Sequence, residues 1–213
     1  MTHVRKSAAV GVGLVLAVAV TAGCSGAASH SGSSSGSSST THTSGSTPGG
    51  GAPTETNPPG DIPDNQAYVA FQPSSGFTGF TVKVPEGWAR TAKGTTTVFA
   101  DKLNRVQIST VSTAAAPTAG SVTNTVVPQL RSQVPKIANP KVTTVKRKAG
   151  TVVLLTYQGD SAPDPVTGKV VRDAFERYAF YRQGHEVDLT LSGPVNADNV
   201  DPWRTVSNSF TWR

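Results

Sequence analysis

The sequence is poor in the residues that support disulfide and thiolate chemistry. Its 213 residues include one cysteine, Cys24, which excludes an intramolecular disulfide and leaves no thiolate cluster for a structural zinc. Charged residues make up 15% of the chain and apolar residues 36%. Both values lie below the averages of about 25% and about 45–50% for globular domains. These deficits indicate that part of the chain is not globular.

Aromatic residues are absent from the first 67 positions, and all of them lie between Tyr68 and Trp212. This distribution predicts one globular domain over residues 61–213, which we expect to be a monomer. The formal charge of +6 falls to +4 when Arg5 and Lys6 are left out, with 17 basic and 13 acidic side chains from Cys24 onwards. Such a mild excess does not favour nucleic acid as a partner.

Residues 1–23 have the layout of a secretory signal peptide. A short basic start with Arg5 and Lys6 precedes the apolar run Ala8–Val20, and small residues follow up to Gly23. The apolar run is shorter than the roughly 20 residues that a membrane-spanning helix needs. We therefore expect this segment to direct export and then to be removed.

A cysteine directly after Thr21-Ala22-Gly23 resembles the lipobox of bacterial lipoproteins. The resemblance implies that the thiol of Cys24 receives a diacylglycerol, that the signal is cut before it, and that the new amino terminus is acylated, commonly with palmitate. Thr21 departs from the leucine usual at that position. An uncleaved anchor helix and a free buried thiol are the alternatives. The resemblance predicts a lipid-anchored protein on the extracytoplasmic face of the cell membrane.

Residues 24–60 consist mainly of Ser, Gly, Thr and Pro. Such a segment buries too little apolar surface to offset the entropy of ordering, which costs about 1–2 kcal/mol per residue. It is predicted to be a disordered tether with a mean reach of roughly 30–36 Å. Its threonine and proline content also suits an O-glycosylated stalk, so both interpretations stay open.

Four short patterns between residues 80 and 111 predict consecutive strands. Phe80–Val84 alternates apolar and polar residues, as a strand with one solvated face does. A turn over Pro85–Gly87 leads to a strand that begins at Trp88. The other two strands are predicted over Val98–Asp101 and Val106–Val111.

The apolar period changes to four residues between Gly120 and Val134, which predicts an amphipathic helix. Its stripe consists of Val122, Val126, Leu130 and Val134. Ser121 is the expected cap, and Pro128 should kink the helix or delay its start.

Further strands and a second helix complete the predicted domain. Thr151–Tyr157 is apolar on both faces and should be covered above and below. Val142–Lys148 precedes it, and a hairpin around Gln183-Gly184 follows. Asp201 and Pro202 are expected to open a closing helix. About seven strands, mostly hairpin-connected, with two helices predict an α+β fold, an α/β/α sandwich with a mostly antiparallel sheet.

Two stretches of the domain resemble the PsbP/Mog1-like fold. "GFTVKVPEGW" (Gly79–Trp88) resembles its opening hairpin, and "VDLTLSGP" (Val187–Pro194) followed by "DNVDPWRTVSNSFTW" (Asp198–Trp212) resembles its close. Together with the lipobox and tether, the chain is similar to actinobacterial lipoproteins of the LpqN/LpqT type. That resemblance implies binding roles in the cell envelope, with mycolate glycolipids as the suggested setting and no agreed catalytic residues.

The motifs of common catalytic sites do not occur in the domain. A Gly-x-Ser-x-Gly elbow is missing, and "TGKVV" at Thr167 fails as a phosphate loop because Pro163 stands where glycine is required. His185, near Glu186 and Asp188, is expected on an exposed turn; its alternative role is that of a hydrolase base. The acidic pairs Asp160/Asp164 and Asp198/Asp201 lack calcium-ligand spacing, so neither a metal nor a cofactor is expected.

Surface charge offers one candidate contact. Lys146, Arg147 and Lys148 form a dense basic run at the end of a predicted strand. One interpretation is that these residues form an exposed, charged strand end. The functional interpretation is that they contact anionic headgroups or wall polymers.

Three functions are compatible with these observations. The first is a non-enzymatic binding or accessory protein of the cell envelope, whose partner is an envelope protein or glycolipid. The second is a lipid or glycolipid carrier with an acyl-binding cavity between the sheet and the Val122–Val134 helix. The third is a cell-wall hydrolase that uses His185 or a pair of carboxylates. The absence of a recognisable catalytic set favours the first.

Overall fold

The computed structural model describes residues 59–163 and 167–213. The predicted signal peptide, Cys24 and nearly all of the predicted tether lie outside the described residues, as does Asp164. The described strands are β1 (Tyr68–Phe71), β2 (Phe80–Pro85), β3 (Ala89–Lys93), β4 (Thr96–Asp101), β5 (Asn104–Ser112), β6 (Ala138–Arg147), β7 (Gly150–Asp160), β8 (Arg172–Arg182), β9 (His185–Pro194) and β10 (Thr211–Trp212). The helical segments are α1 (Ala119–Ser121), a π-helical segment (Val122–Val126), α2 (Val127–Gln133) and α3 (Val200–Asn208).

Seven of these strands form the main sheet, in the order β3-β4-β5-β9-β8-β7-β6, and every neighbouring pair is antiparallel. Hairpins build it in two blocks, β3 to β5 and β6 to β9. The β5–β9 pairing joins the blocks, from Arg105 opposite Ser192 to Ser112 opposite His185. Short connections between antiparallel neighbours account for this order.

One face of the main sheet carries a small second sheet and α3. The small sheet has the order β1-β2-β10, and the larger hydrophobic core lies beneath it. Phe80, Phe180 and Phe210 have no exposed surface, and the rings of Phe180 and Phe210 stack with centroids 3.9 Å apart. This aromatic contact connects the closing segment of the chain to β8.

The opposite face carries the three consecutive segments α1, π and α2, together called the middle helix. Val122 and Val127 of this helix are buried against Val153, Leu155 and Tyr157 of β7. The partly buried stripe residues Val126, Leu130 and Val134 pack on the same cluster. The apolar stripe predicted for this helix is therefore the face that contacts the sheet.

The start and the interior of the middle helix differ from their predicted form. Thr118, rather than Ser121, caps the helix: its Oγ1 accepts a hydrogen bond from the N–H of Ser121, and Ser121 Oγ accepts one from the N–H of Thr118. The helix also has a π-helical turn, in which the N–H of Val127 bonds to the carbonyl of Val122. Pro128 has no N–H to donate, and it follows directly after this π-helical turn, as the second residue of α2.

Strand β7 is covered on both faces, as its sequence predicts. Val152 contributes to the core under the small sheet, whereas Val153 and Leu155 contribute to the core under the middle helix. The α+β fold class, with its layered sandwich around a mostly antiparallel sheet, is thereby confirmed. The small sheet that shares a layer with α3 was not predicted.

The closing helix begins before its predicted cap. Asn199 holds the cap position, α3 starts at Val200, and Pro202 is the third residue of its first turn. The Asn199 side chain makes no capping hydrogen bond because its amide is engaged elsewhere in the fold.

A buried amide pair joins the first described residues to the main sheet and to α3. Asn199 Nδ2 donates to Asn104 Oδ1 over 2.9 Å, and both amides donate to the carbonyl of Gly60, over 2.8 and 3.0 Å. Asn199 Oδ1 accepts from the N–H of Ile62 over 2.8 Å. A side chain at Gly193 would collide with both amides, so this position requires glycine.

We predict that Asn199→Ala lowers the free energy of unfolding by about 2–4 kcal/mol, because it leaves several buried polar groups without partners. Urea denaturation followed by tryptophan fluorescence measures this change. Asn124→Ala, at an exposed helix position, is the control and should change stability by less than about 0.5 kcal/mol. Equal effects of the two substitutions would contradict the role assigned to the amide pair.

Candidate functional site

The three basic residues at the end of β6, Lys146, Arg147 and Lys148, do not share one environment. The side chains of Lys146 and Lys148 are exposed, whereas Arg147 is partly buried. Because neighbouring strand residues face opposite sides of a sheet, Arg147 points away from Lys146. The three cations therefore do not form one continuous patch.

Arg147 connects β6 to α3 and β8. Its Nε donates to Ser207 Oγ over 2.9 Å, and Nη2 donates to the hydroxyl of Tyr178 over 2.8 Å. The guanidinium also lies 4.8 Å from the centre of the Tyr178 ring, within cation–π distance. Arg147 is thus engaged inside the protein, and its expected availability to an anionic surface is corrected.

Tyr178 is a fully buried donor in the same network. Its hydroxyl donates to Glu176 Oε2 over 2.5 Å. Burial, with a smaller contribution from Glu176, raises the pKa of Tyr178 to about 12. The phenol therefore stays protonated at neutral pH and keeps this hydrogen bond.

His185 does not assemble a hydrolytic site with its acidic neighbours. It follows the two-residue turn Gln183-Gly184 and is partly buried, with its ring stacked on Phe77 at a centroid distance of 3.9 Å. Glu186 and Asp188 occupy strand positions of the opposite parity and face the other side of the sheet. The expectation of an exposed turn histidine is corrected.

An open groove of about 580 Å³ adjoins His185 and Phe77. Its rim carries hydroxyl groups from Thr78, Thr95 and Thr110. His185 Nδ1 is buried, and it has no hydrogen-bond partner among the described residues. Ser112 also lines the groove and lies directly opposite His185 in the β5–β9 pairing, but no carboxyl group lines the groove beside them.

The main sheet carries an ionic cluster on the face of the middle helix, formed by Arg177 of β8 and Glu186 and Asp188 of β9. Arg177 Nη2 lies 2.6 Å from Asp188 Oδ2 and 3.6 Å from Glu186 Oε1. All three side chains are largely buried, with 13–16% of their surface exposed. Two carboxyl groups share one guanidinium, so the cluster has an excess acidic group.

Asp188 is the member of the ionic cluster whose pKa is raised. Burial raises the pKa of Asp188, Arg177 opposes this rise, and Glu186 adds to it. Asp188 Oδ1 is buried, and no hydrogen-bond donor reaches it among the described residues. Asp188 can therefore take up a proton more readily than an exposed carboxyl group does.

The sheet around the ionic cluster is not covered by the middle helix, which packs on β6, β7 and β8. On the same face, Ser109 lies opposite Asp188 and Gln107 lies opposite Thr190. These side chains are partly exposed. We call the part formed by β9, β5, β4 and β3 the uncovered face; its centre is polar and slightly acidic.

Asp173 is a second buried carboxyl group with a raised pKa. It is 7% exposed, and its Oδ1 has no hydrogen-bond partner in the described part of the chain. Burial raises the pKa of Asp173 to about 6, and the positive charge of Arg105 opposes the rise.

The acidic residues considered for calcium are explained by local contacts. Asp160 forms ion pairs with Lys136 at 2.9 Å and Arg172 at 3.2 Å, and these cations hold the pKa of Asp160 below its usual value. Asp201 pairs with Arg204 on the next turn. Within residues 59–163 and 167–213, no three His, Cys, Asp or Glu side chains converge as metal ligands would.

The space between the middle helix and the sheet is filled by side chains. Val122 and Leu155 are each 1% exposed, and Tyr157 stacks on Phe175 at 4.5 Å. The cavity expected of a lipid carrier would have to occupy this position. In the part of the chain that is described, no helix combines the length and apolarity required to span a bilayer.

The sequence matches no family model and no curated protein. Among solved structures, the chain is similar to cyanobacterial PsbP of Synechocystis, with 15% identity, 70% of this chain and 94% of that chain covered and a TM-score of 0.48. It is also similar to the Ran-binding protein Mog1p of Saccharomyces cerevisiae, with 9% identity, 62% and 79% coverage and a TM-score of 0.41. LpqN of Mycobacterium tuberculosis, involved in cell envelope biogenesis, matches with 13% identity, 70% and 91% coverage and a TM-score of 0.38. These likenesses concern the fold.

The ionic cluster was missed at the sequence level, although a signal for it existed. The two-residue turn fixes the β8–β9 register, which sets Ala179 opposite Asp188 and Arg177 opposite Thr190. Arg177 is then the diagonal neighbour of Asp188 on one face.

Asp173 should make the stability of the protein fall as the pH rises. A carboxyl group whose pKa is about 6 in the folded state, against 3.8 as its reference value, binds its proton more tightly when folded. Its stabilising protonation is complete near pH 4 and is lost as the pH passes 6. Relative to Asp173→Asn, the parent should lose about 1–3 kcal/mol between pH 4 and pH 7.5.

Urea unfolding at several pH values tests this prediction. Asp64→Asn removes an exposed carboxyl group and should keep the pH profile of the parent. A parent profile parallel to that of Asp173→Asn would show that Asp173 does not titrate as described.

Proposed function

We propose that this protein is a lipid-anchored, extracytoplasmic accessory protein of the cell envelope, which binds a partner protein rather than catalysing a reaction. The observation that carries the binding role is the uncovered face, where a buried ionic cluster has an excess acidic group and an unpartnered carboxylate oxygen. A basic side chain of a partner would pair with the excess acidic group through the part of Glu186 and Asp188 that remains exposed, 16% and 13% of the side-chain surface.

The anchor is supported by the sequence around Cys24. A diacylglyceryl group on this thiol adds two acyl chains, and each buried methylene contributes about 0.8 kcal/mol. Two chains hold a protein stably, whereas one holds it only marginally. A tether of 37 residues, 24–60, would then separate the folded domain from the headgroups.

The partner is best described as an envelope protein that presents lysine or arginine. Asp188 and Glu186 attract a cation, and the partly exposed Thr190 and Gln107 beside them can exchange hydrogen bonds. A lipid carrier is less well supported because side chains fill the space between the middle helix and the sheet. A hydrolase is also less well supported because His185 faces away from both acidic neighbours.

We expect Cys24→Ala to release the protein from the membrane or to leave it unprocessed, because the variant has no thiol to acylate. Detergent phase partitioning, gel mobility and palmitate labelling in the producing cell measure this. Ser25→Ala keeps the thiol and should behave as the parent. Unchanged partitioning and mobility of Cys24→Ala would refute the lipid anchor.

Partner binding at the uncovered face is tested by site-specific photocrosslinking in intact envelopes. A photoreactive residue at Thr190 should give a discrete crosslinked species, whose partner peptide contains Lys or Arg. The same residue at Thr205, exposed on α3, is the control and should not give it. Adding Asp188→Asn should reduce the Thr190 product about tenfold, because the attracting charge is removed. An undiminished product, or the same product from Thr205, would contradict the proposed face.

A further inference from the structure

The chain between Lys102 and Gly159 contains no acidic residue, although it supplies β5, the middle helix, β6 and most of β7. Eight basic residues lie in this stretch. They are Lys102, Arg105, Arg131, Lys136, Lys141, Lys146, Arg147 and Lys148. Of these, Arg131 lies on the middle helix and Lys141, Lys146 and Arg147 lie on β6, so these two elements carry basic and no acidic side chains.

An open groove of about 410 Å³ lies between the middle helix and β6 on this edge. Its lining residues are Thr123, Val127, Pro128, Arg131, Pro140 and Val142. Pro128 and Pro140 are exposed and Val142 partly so, which leaves apolar surface open between the two elements. We call this feature the β6 groove.

Two exposed cations flank the apolar part of the β6 groove. Arg131 lies in its lining, and Lys146 is on the same face of β6 as Val142, four residues along the strand, or about 13 Å away. Neither side chain forms an ion pair with any carboxylate of the described residues. Apolar surface with unpaired cations at both ends matches the chemistry of a membrane interface.

The shape of the middle helix contributes to this groove. The π-helical segment Val122–Val126 and Pro128 interrupt the regular α-helical pattern beside it. Such π-helical turns occur frequently at functional sites. The bulge of β6 between Ala138 and Lys141 brings Pro140 to the opposite wall.

We propose that the β6 groove docks on an anionic lipid bilayer, with Arg131 and Lys146 on phosphate headgroups and the apolar residues between them at the interface. This inference rests on the proposed function, because the lipid anchor at Cys24 would place the domain within reach of the bilayer. In this proposal Lys146 contacts an anionic surface, as the sequence predicted. Arg131 takes the place of Arg147 in that contact, and Lys148 in the neighbouring turn adds to the attraction.

The test uses residues 24–213 with Cys24→Ser, so that no acyl chain contributes to binding. Sedimentation should show binding to phosphatidylcholine vesicles that contain phosphatidylglycerol, weaker binding at high salt, and none to phosphatidylcholine alone. Arg131→Glu with Lys146→Glu should weaken binding about 25-fold or more, since each lost cation removes about a factor of five and each added carboxylate is repelled.

The matched control is Lys83→Glu with Lys93→Glu, which makes the same change of net charge at exposed positions of β2 and β3. It should reduce binding much less than the β6 groove variant. Equal losses for both pairs would show that only net charge matters and would overturn the proposal, as would absence of binding by the parent.

A fluorescence measurement separates docking of the groove from headgroup attraction alone. With Cys24 replaced by Ser, Val142→Cys gives one thiol for an environment-sensitive dye. Its emission should shift to the blue on anionic vesicles, whereas the same dye at Lys93→Cys should not shift. An unshifted dye at position 142 would refute insertion of the groove. Because these chains are not acylated, either failure leaves the Cys24 fractionation result intact.

Discussion

The number of strands that one helix can cover determines which part of the main sheet is buried in this structure. A helix is about 10–12 Å across and strands lie about 4.8 Å apart, so one helix covers two or three strands. The main sheet has seven strands, and only one helical region covers the face opposite the small sheet among the described residues. The middle helix therefore buries the inner part of β6 to β8 on that face, whereas the strands beyond it keep partly exposed side chains. Ser109, Gln107 and Thr190 suit the solvated part because they are polar.

The middle helix divides this face into two flanks of opposite electrostatic character. Arg177, Glu186 and Asp188 lie on one flank, where two carboxyl groups share a guanidinium. Arg131 and Lys146 lie on the other flank, in a part of the chain without acidic residues. The surface proposed for a protein partner and the surface proposed for a bilayer thus lie on different sides of one helix, and the two would not compete for space. This arrangement suits an accessory protein that holds a partner close to a bilayer.

Local sequence patterns predicted most strands of the main sheet. They did not predict contacts between residues that are far apart in the sequence. The double-sided apolar pattern of Thr151–Tyr157 correctly indicated a strand covered on both faces, because burial on each side requires it. Strand β1 was missed since its four residues, Tyr68–Phe71, do not extend an alternating pattern. Arg147 looked like a surface cation because its partners, Ser207 and Tyr178, are 60 and 31 residues away. The π-helical turn was not predicted; the sequence indicated only that Pro128 would kink the helix or delay its start.

The amide pair at Gly60 has a mechanical consequence. If the segment before Gly60 acts as a tether, a force along it is applied to the domain at Gly60. The carbonyl of Gly60 accepts hydrogen bonds from Asn104 and Asn199, which hold the chain at this point. Asn104 begins a strand that is central in the main sheet, and Asn199 precedes α3. A force on the tether would thus act on β5 and on the start of α3 before it acts on the short edge strand β1.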